Sequence, residues 1–251
     1  MFADSFALLL VVGVCLSIAR AQPVTVTLYE GPITGHISFS NTSSVRHVPL
    51  ATFLGVPYGE STSGDGRWAP PRPKSSWSEP RDANRFAAAC PGGSMTGNLS
   101  DPRFFSEDCL FANIWTPAAA LSAGKAVLPV VVWIHGGGFF GGTANDPVWW
   151  GHQWAARDVV FISFEYRLGA LGFFHSSAEK NSTNFGILDQ LLLLQWVQRN
   201  AAAFGGSSSR VTVSPLILCL HSSDFMIFFH TSSNLSRSCA LLYSIVTPPC
   251  S

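Results

Sequence analysis

The chain has 251 residues, of which 47% are hydrophobic and 12% charged, and its 15 basic and 15 acidic side chains give a formal charge of zero. This composition excludes a disordered chain and leaves room for one large domain. Because the sequence contains no basic run, we expect neither nucleic-acid binding nor a membrane-surface role.

Residues 1–21 have the pattern of a secretory signal peptide. An apolar core from Phe6 to Ile18 precedes the small-x-small triplet ARA at residues 19–21, which signal peptidase accepts. An uncleaved membrane anchor is the alternative, but the apolar run is short for a bilayer span. We therefore expect a secreted, extracellular protein that begins near Gln22 and keeps no stable membrane span.

Four Asn-x-Ser/Thr sites agree with export, and none has a central proline. These candidate glycosylation sites are Asn41, Asn98, Asn181 and Asn234.

The first predicted elements are β-strands. Residues 24–39 alternate around Gly31 and Gly35 and predict a β-hairpin or meander, and residues 48–54 predict another strand. The proline-rich residues 57–80 predict an ordered loop that is packed by Trp68 and Trp77.

Cys90 and Cys109 bracket a polar, glycine-containing segment. Their short separation fits a local disulfide, which an oxidising compartment permits, and two free thiols are the alternative. Removal of Cys15 with the signal peptide would leave an odd number of cysteines, five.

A run of three glycines, Gly136 to Gly138, follows the apolar residues 130–134 and His135. The apolar run predicts a strand that is buried on both faces of a parallel sheet. Glycines after it predict either a tight turn or a loop whose N–H groups approach a bound group and stabilise an oxyanion.

The later elements indicate an α/β protein. Residues 158–166 and 210–213 predict strands, and residues 184–204 predict a helix that Gly205 and Gly206 end. Its predicted apolar face comprises Ile187, Leu188, Leu191, Leu192, Leu194, Val197 and Ala201. Asp189 lies in its early turns and Arg199 lies late, as the helix dipole favours.

Long blocks of this sequence resemble the type B carboxylesterase family of α/β hydrolases, which includes the cholinesterases and neuroligins. Their order and spacing also match. The blocks are FLGVPYGE from Phe53, RWAPPRPKSSW from Arg67, SEDCLFANIWTP from Ser106, VVVWIHGGGFFGG from Val130, YRLGALGFF from Tyr166 and NFGILDQLLLLQWVQRNAAAFGG from Asn184.

The resemblance implies an incomplete, N-terminal portion of an α/β-hydrolase fold over residues 22–213, with a mixed, mostly parallel sheet and flanking helices. It implies a carboxylic ester hydrolase that uses serine acyl transfer and no cofactor. Gly137 and Gly138 match the glycines that line the family's oxyanion hole, and Cys90 and Cys109 match its disulfide. The loop between these cysteines lacks the tryptophan with which cholinesterases bind choline, so a small uncharged ester is the expected substrate.

The family's nucleophile is missing. Its G-x-S-x-G elbow should follow residue 213, but the sequence contains no such motif, and the family's base and acid lie beyond the elbow. Residues 214–251 lack glycine, lysine, glutamate and tryptophan and match nothing in the family. We therefore expect no catalysis from this chain, and interpret the tail as read-through or a wrong splice choice.

Two other functions remain open. A non-catalytic, neuroligin-like adhesion or binding protein tolerates a missing serine, although it still needs a complete sheet. A Ser-x-x-Lys hydrolase has only chance-level support, from Ser122 with Lys125 and from Ser177 with Lys180.

Overall fold

The computed structural model describes residues 21–39, 48–92, 105–124, 126–175 and 184–215. Nearly all of the predicted signal peptide, the tail from residue 216 and all four candidate glycosylation sites, Asn41, Asn98, Asn181 and Asn234, lie outside these residues.

Within the described residues the chain forms one sheet of eight strands with helices beside it. The strands are β1 (Gln22–Thr27), β2 (Pro32–Phe39), β3 (Pro49–Pro57), β4 (Arg81–Asp82), β5 (Phe111–Pro117), β6 (Leu128–Ile134), β7 (Val160–Phe164) and β8 (Gly206–Pro215). The α-helices are α1 (Ala118–Ser122), α2 (His152–Ala155), α3 (Gly169–Phe173) and α4 (Phe185–Asn200), and short 3₁₀ turns cover Gly64–Gly66, Pro147–Trp149 and Ala201–Phe204.

The sheet changes from antiparallel to parallel along its strand order, which is β1-β2-β3-β5-β7-β6-β8 with β4 paired to β2. Strands β1, β2, β3, β5 and β7 pair antiparallel, whereas β6 lies parallel to both β7 and β8. The sheet is mixed, as the sequence predicts, but within the described residues it is not mostly parallel, because four strand pairs are antiparallel and three are parallel. Because parallel strands end at the same edge, the loops after β6 and β7 begin at the edge where β8 ends.

The predicted elements occur where the apolar patterns indicate them. Val24 pairs with Gly35 across the β1–β2 hairpin, and residues 130–134 lie inside β6. Strand β8 is longer than the predicted residues 210–213 and reaches Pro215. Gly205 has a φ of +78° and ends the helical segment, as expected of a left-handed C-terminal residue.

The buried face of α4 agrees in part with the predicted one. Ile187, Leu192, Val197 and Ala201 are buried as predicted, whereas Leu188, Leu191 and Leu194 are half-buried. Leu193 and Trp196, which lie outside the predicted face, are fully buried. Asp189 is also fully buried, so interaction with the helix dipole does not account for its position. An ion pair with Arg167 turns this side of the helix inward.

Hydrophobic clusters occupy both faces of the sheet. Trp196 and Phe204 pack on one face, where the Phe204 and Phe53 rings are 5.3 Å apart. A smaller cluster around Trp115 and Phe161 lies apart from this core. Both clusters remove apolar side chains from water, and this burial stabilises the fold.

The two loop tryptophans pack to different extents. Trp77 lies against the main core and its indole N–H donates to the Pro32 carbonyl at 2.7 Å. Trp68 is 45% exposed and its indole N–H donates to the Ala170 carbonyl at 3.0 Å. The loop is therefore ordered as predicted, but Trp77 anchors it to the core and Trp68 ties it to α3.

Candidate functional site

The glycine run forms a tight loop at the carboxyl end of β6. Gly137 and Gly138 have φ values of +118° and +61°, which side chains rarely adopt. A Cβ on Gly137 would lie 2.0 Å from the Gly141 carbonyl oxygen, whereas a Cβ on Gly138 would meet nothing within 4 Å. Gly137 is therefore required for close backbone packing, and Gly138 for its conformation alone.

The loop leaves two backbone donors open. The Phe140 and Gly141 N–H groups donate to the Gly137 carbonyl at 3.0 and 3.2 Å, which closes the turn. Among the described residues, the Gly137 and Gly138 N–H groups have no hydrogen-bond acceptor. Neighbouring unpaired N–H groups can bind an anionic oxygen.

The end of the glycine loop packs against its beginning. Gly142 has a φ of +105°, and a Cβ there would lie 2.2 Å from the Gly136 carbonyl oxygen. The Phe139 carbonyl accepts from the Gly169 N–H at 2.8 Å, and the Phe139 ring lies 5.0 Å from that of Phe173. The loop is therefore held against the start of α3.

A buried carboxylate lies beneath the loop. Glu165 directly follows β7, and its Oε1 accepts from the Ala144 N–H at 2.8 Å and the Thr143 hydroxyl at 2.5 Å. Its Oε2 lies 3.4 Å from the Cys90 nitrogen and 3.9 Å from Nε2 of His135. Sequence reasoning placed Glu165 within a strand and missed this role, although a charged residue at the end of an apolar strand was a visible signal.

His135 lies in the core and is buried. Its ring stacks on Tyr166 at 4.4 Å, its Nδ1 lies 3.0 Å from the Gly136 carbonyl oxygen, and the Tyr166 hydroxyl donates to the His135 carbonyl at 2.8 Å. Burial lowers the pKa of His135, although Glu165 and the Gly136 carbonyl oppose this shift. Burial also raises the pKa of Tyr166.

The predicted disulfide is confirmed. Cys90 and Cys109 are bonded through their sulfurs, with Cα atoms 5.0 Å apart. Both cysteines are buried in the core, so the bridge fixes the two ends of the segment between them. Residues 93–104 of that segment lie outside the described residues.

The end of β8 lies beside the glycine loop. Ile134, the last residue of β6, pairs with Pro215, the last residue of β8. The carboxyl end of β8 therefore lies at the same edge of the sheet as the start of the glycine loop.

The described residues show no nucleophile activated by a histidine. The hydrogen bonds of His36 and His135 go to Asn84 and the Gly136 carbonyl. Within the same ranges, no cluster of His, Cys, Asp and Glu has the geometry to hold a metal ion. None of the helices found there has the length and apolar character needed to cross a bilayer.

Comparisons with known proteins assign residues 22–215 to a family. The sequence profile described as the carboxylesterase family matches residues 22–215. Fumonisin B1 esterase of Sphingopyxis macrogoltabida is 39% identical over 201 residues, which are 78% of this chain and 36% of that protein. Liver carboxylesterase 1 of Oryctolagus cuniculus is 37% identical over 204 residues, which are 77% of this chain and 35% of that protein.

A solved structure agrees with the sequence matches. Juvenile hormone esterase from Manduca sexta, crystallised with OTFP covalently attached, superposes with a TM-score of 0.69 and 34% identity, over 77% of this chain and 36% of that one. The chain thus spans about a third of the length of the relatives that it matches.

Proposed function

The chain belongs to the carboxylesterase family, and on that premise we propose that residues 22–215 supply the oxyanion-binding part of a carboxylic ester hydrolase. In this reaction a serine attacks the ester carbonyl, and the N–H groups of Gly137 and Gly138 stabilise the negative oxygen of the tetrahedral intermediate. The observation that carries the proposal is that both N–H groups lie unpaired, within the described residues, beside the end of β8.

The nucleophile must come from sequence that this chain does not contain. The 251 residues include no G-x-S-x-G motif, and a serine without a positioned base is a weak nucleophile. We propose that residues 214–251 diverge from the family through a wrong splice choice or read-through. Sequencing transcripts across the codon of Val213 tests this, because a major transcript that continues into a G-x-S-x-G codon run is expected, and transcripts ending only in the present tail would contradict it.

The magnitude of the missing contributions explains why we expect no turnover. Loss of one oxyanion-hole donor typically costs roughly a hundredfold to a thousandfold in rate. Loss of the nucleophile leaves only the modest residual catalysis of binding and oxyanion stabilisation. An intact pair of donors therefore does not compensate for an absent serine.

The surroundings of the loop favour a small uncharged ester. Phe140, next to the glycines, is 68% exposed and offers an apolar surface. Among the described residues, Arg67 pairs with Glu107 and Arg167 with Asp189. Paired charges leave little attraction for an ionic substrate.

The same proposal includes export of the protein. A buried disulfide is typical of chains that fold in an oxidising compartment. Expression in secreting cells should yield protein in the medium that begins near Gln22 and loses mass on treatment with an N-glycosidase. Protein that remains in the cells with residues 1–21 attached would contradict this part of the proposal.

The decisive experiment compares the chain with a chimera. The purified chain should hydrolyse a short-chain nitrophenyl ester no faster than buffer does. A chimera in which residues 22–213 replace the matching part of rabbit liver carboxylesterase 1 should hydrolyse it, because the missing serine, base and acid are then present. A chimera that melts cooperatively but lacks activity would overturn the proposal, as would turnover by the chain alone.

A further inference from the structure

One buried carboxylate contacts both ends of the glycine loop. The Glu165 side chain is only 1% exposed. It reaches His135, where the loop begins, and Thr143 and Ala144, where the loop returns. Its second oxygen faces the amide of Cys90 and so connects the disulfide to the same point.

The main chain of Glu165 is itself fixed. Its N–H donates to the Phe111 carbonyl at 3.0 Å, and its carbonyl accepts from the Tyr58 hydroxyl at 2.7 Å. Both partners belong to the region of β3 and β5, not to the glycine loop. The carboxylate therefore connects the loop to a rigid part of the sheet.

From this arrangement we propose that Glu165 is a positioning residue that holds the open N–H groups of Gly137 and Gly138 in place, an inference that rests on the proposed oxyanion-binding function. Glu165 does not touch the substrate. It acts through Thr143 and Ala144, which fix the return of the loop that carries the two glycines.

Physical chemistry explains why such an anchor is needed. Glycines with positive φ have many accessible conformations, so a loop of this composition does not hold its donors still by itself. A buried carboxylate is costly unless donors surround it, and charge-assisted hydrogen bonds are about twice as strong as neutral ones. Glu165 therefore favours the single loop path that brings the Thr143 hydroxyl and the Ala144 N–H to it, and preorganised donors are the ones that stabilise an oxyanion.

The test uses the full chain labelled with ¹⁵N-glycine, so that it needs no ester hydrolysis. In Glu165→Leu the amide resonances of Gly137 and Gly138 should shift or broaden, because the loop that carries them loses its anchor. Glu165→Gln should restore most of the wild-type pattern, because its amide oxygen still accepts from Thr143 and Ala144.

A matched control separates positioning from general destabilisation. Glu30 is the other buried glutamate of the described residues, and it binds Asn200 and Arg199 rather than the glycine loop. Glu30→Leu should leave the Gly137 and Gly138 resonances in place. Equal shifts in Glu30→Leu and Glu165→Leu would overturn the proposal, as would unchanged resonances in Glu165→Leu.

A second variant keeps the test decisive where Glu165→Leu fails to fold. Thr143→Val removes the hydroxyl that donates to Glu165 and accepts from the Asn145 N–H. It should move the same two glycine resonances in the same direction by a smaller amount, and unchanged resonances would overturn the proposal. The glycine resonances report the geometry of the loop and do not depend on ester hydrolysis. If they shift as expected while the chimera is inactive, only the proposed oxyanion-binding function is contradicted.

Discussion

The Arg167 guanidinium binds the Asp189 carboxylate at two points. Arg167 Nε lies 2.8 Å from Asp189 Oδ2, and Nη2 lies 2.7 Å from Oδ1. The Arg167 backbone N–H donates to the same Oδ2 at 3.0 Å, and Nη1 donates to the Ala69 carbonyl at 2.8 Å. This buried pair joins the loop after β7, the first turns of α4 and the proline-rich loop.

Replacing Asp189 should therefore destabilise the fold strongly. Asp189→Ala leaves the Arg167 charge buried without its partner, and breaking a buried pair in this way costs about 3–5 kcal/mol. Urea unfolding monitored by tryptophan fluorescence measures the loss. Arg67→Gln, at the more exposed pair with Glu107, is the control and should cost much less. Similar losses in both variants would contradict the assigned importance of the buried pair.

The sequence alone predicts the strands and the helix of this fold better than it predicts their polar contacts. Residues 130–134 form a continuous apolar run, and residues 160–164 form one that only Ser163 interrupts, so both favour buried strands. Arg167 and Asp189 are 22 residues apart, and no local pattern relates them. The helix dipole by itself also explains an aspartate early in a helix. The ion pair depends on the packing of α4 against the end of β7, which the local sequence does not predict.

The sequence also predicts only some of the residues of the candidate site. The glycine run is visible in the sequence because glycine adopts a positive φ at the lowest cost. Glu165 was not identified, since its partners Thr143 and Ala144 come from a loop that returns to the end of β7 only through the parallel pairing of β6 with β7. Long-range register, rather than local propensity, decides which polar groups meet at this edge of the sheet.

Gly137→Ala should abolish most of the activity of the chimera. A Cβ at this position would lie 2.0 Å from the Gly141 carbonyl oxygen, so the loop must move and carry its N–H groups away. We expect a loss of about a hundredfold or more in kcat, as for removal of an oxyanion-hole donor. Gly138→Ala has free space around the Cβ but a φ of +61°, and a smaller loss of roughly tenfold is expected from displaced donors.

Gly124→Ala provides the matched control for both variants. Gly124 also has a positive φ, +63°, and its Cβ would also meet nothing within 4 Å. It lies just after α1, outside the glycine loop. Its replacement should cost about 1–2 kcal/mol in stability and leave kcat unchanged. A fall in kcat equal to that of Gly138→Ala would show that strain, rather than donor position, explains the loss.

Removal of the disulfide should lower stability without unfolding the sheet. The bridge closes a loop with a sequence separation of 19 residues, for which the chain-entropy estimate is about 3 kcal/mol. The Cys90→Ser, Cys109→Ser double variant should lose this amount in urea unfolding, and reductant should then have no further effect on it. A double variant as stable as the oxidised wild type would contradict the prediction.

Glu60 should contribute to stability only above acidic pH. Lys74 Nζ lies 2.7 Å from one carboxylate oxygen, and the Ser75 N–H and hydroxyl donate to the other. These bonds, with Lys74 first, lower the pKa of Glu60 from 4.5 to about 2. A carboxyl whose pKa is lower in the folded state stabilises the fold above its unfolded pKa, and this contribution disappears as the pH falls from 4.5 to about 2. Solvent screening limits it to about 1 kcal/mol. In urea titrations, the free energy of unfolding of Glu60→Gln should therefore fall less steeply at acidic pH than that of the wild type.

Glu79→Gln, at an exposed carboxylate, is the control and should keep the wild-type pH dependence. The same pH dependence in Glu60→Gln and the wild type would contradict the assigned role of Glu60.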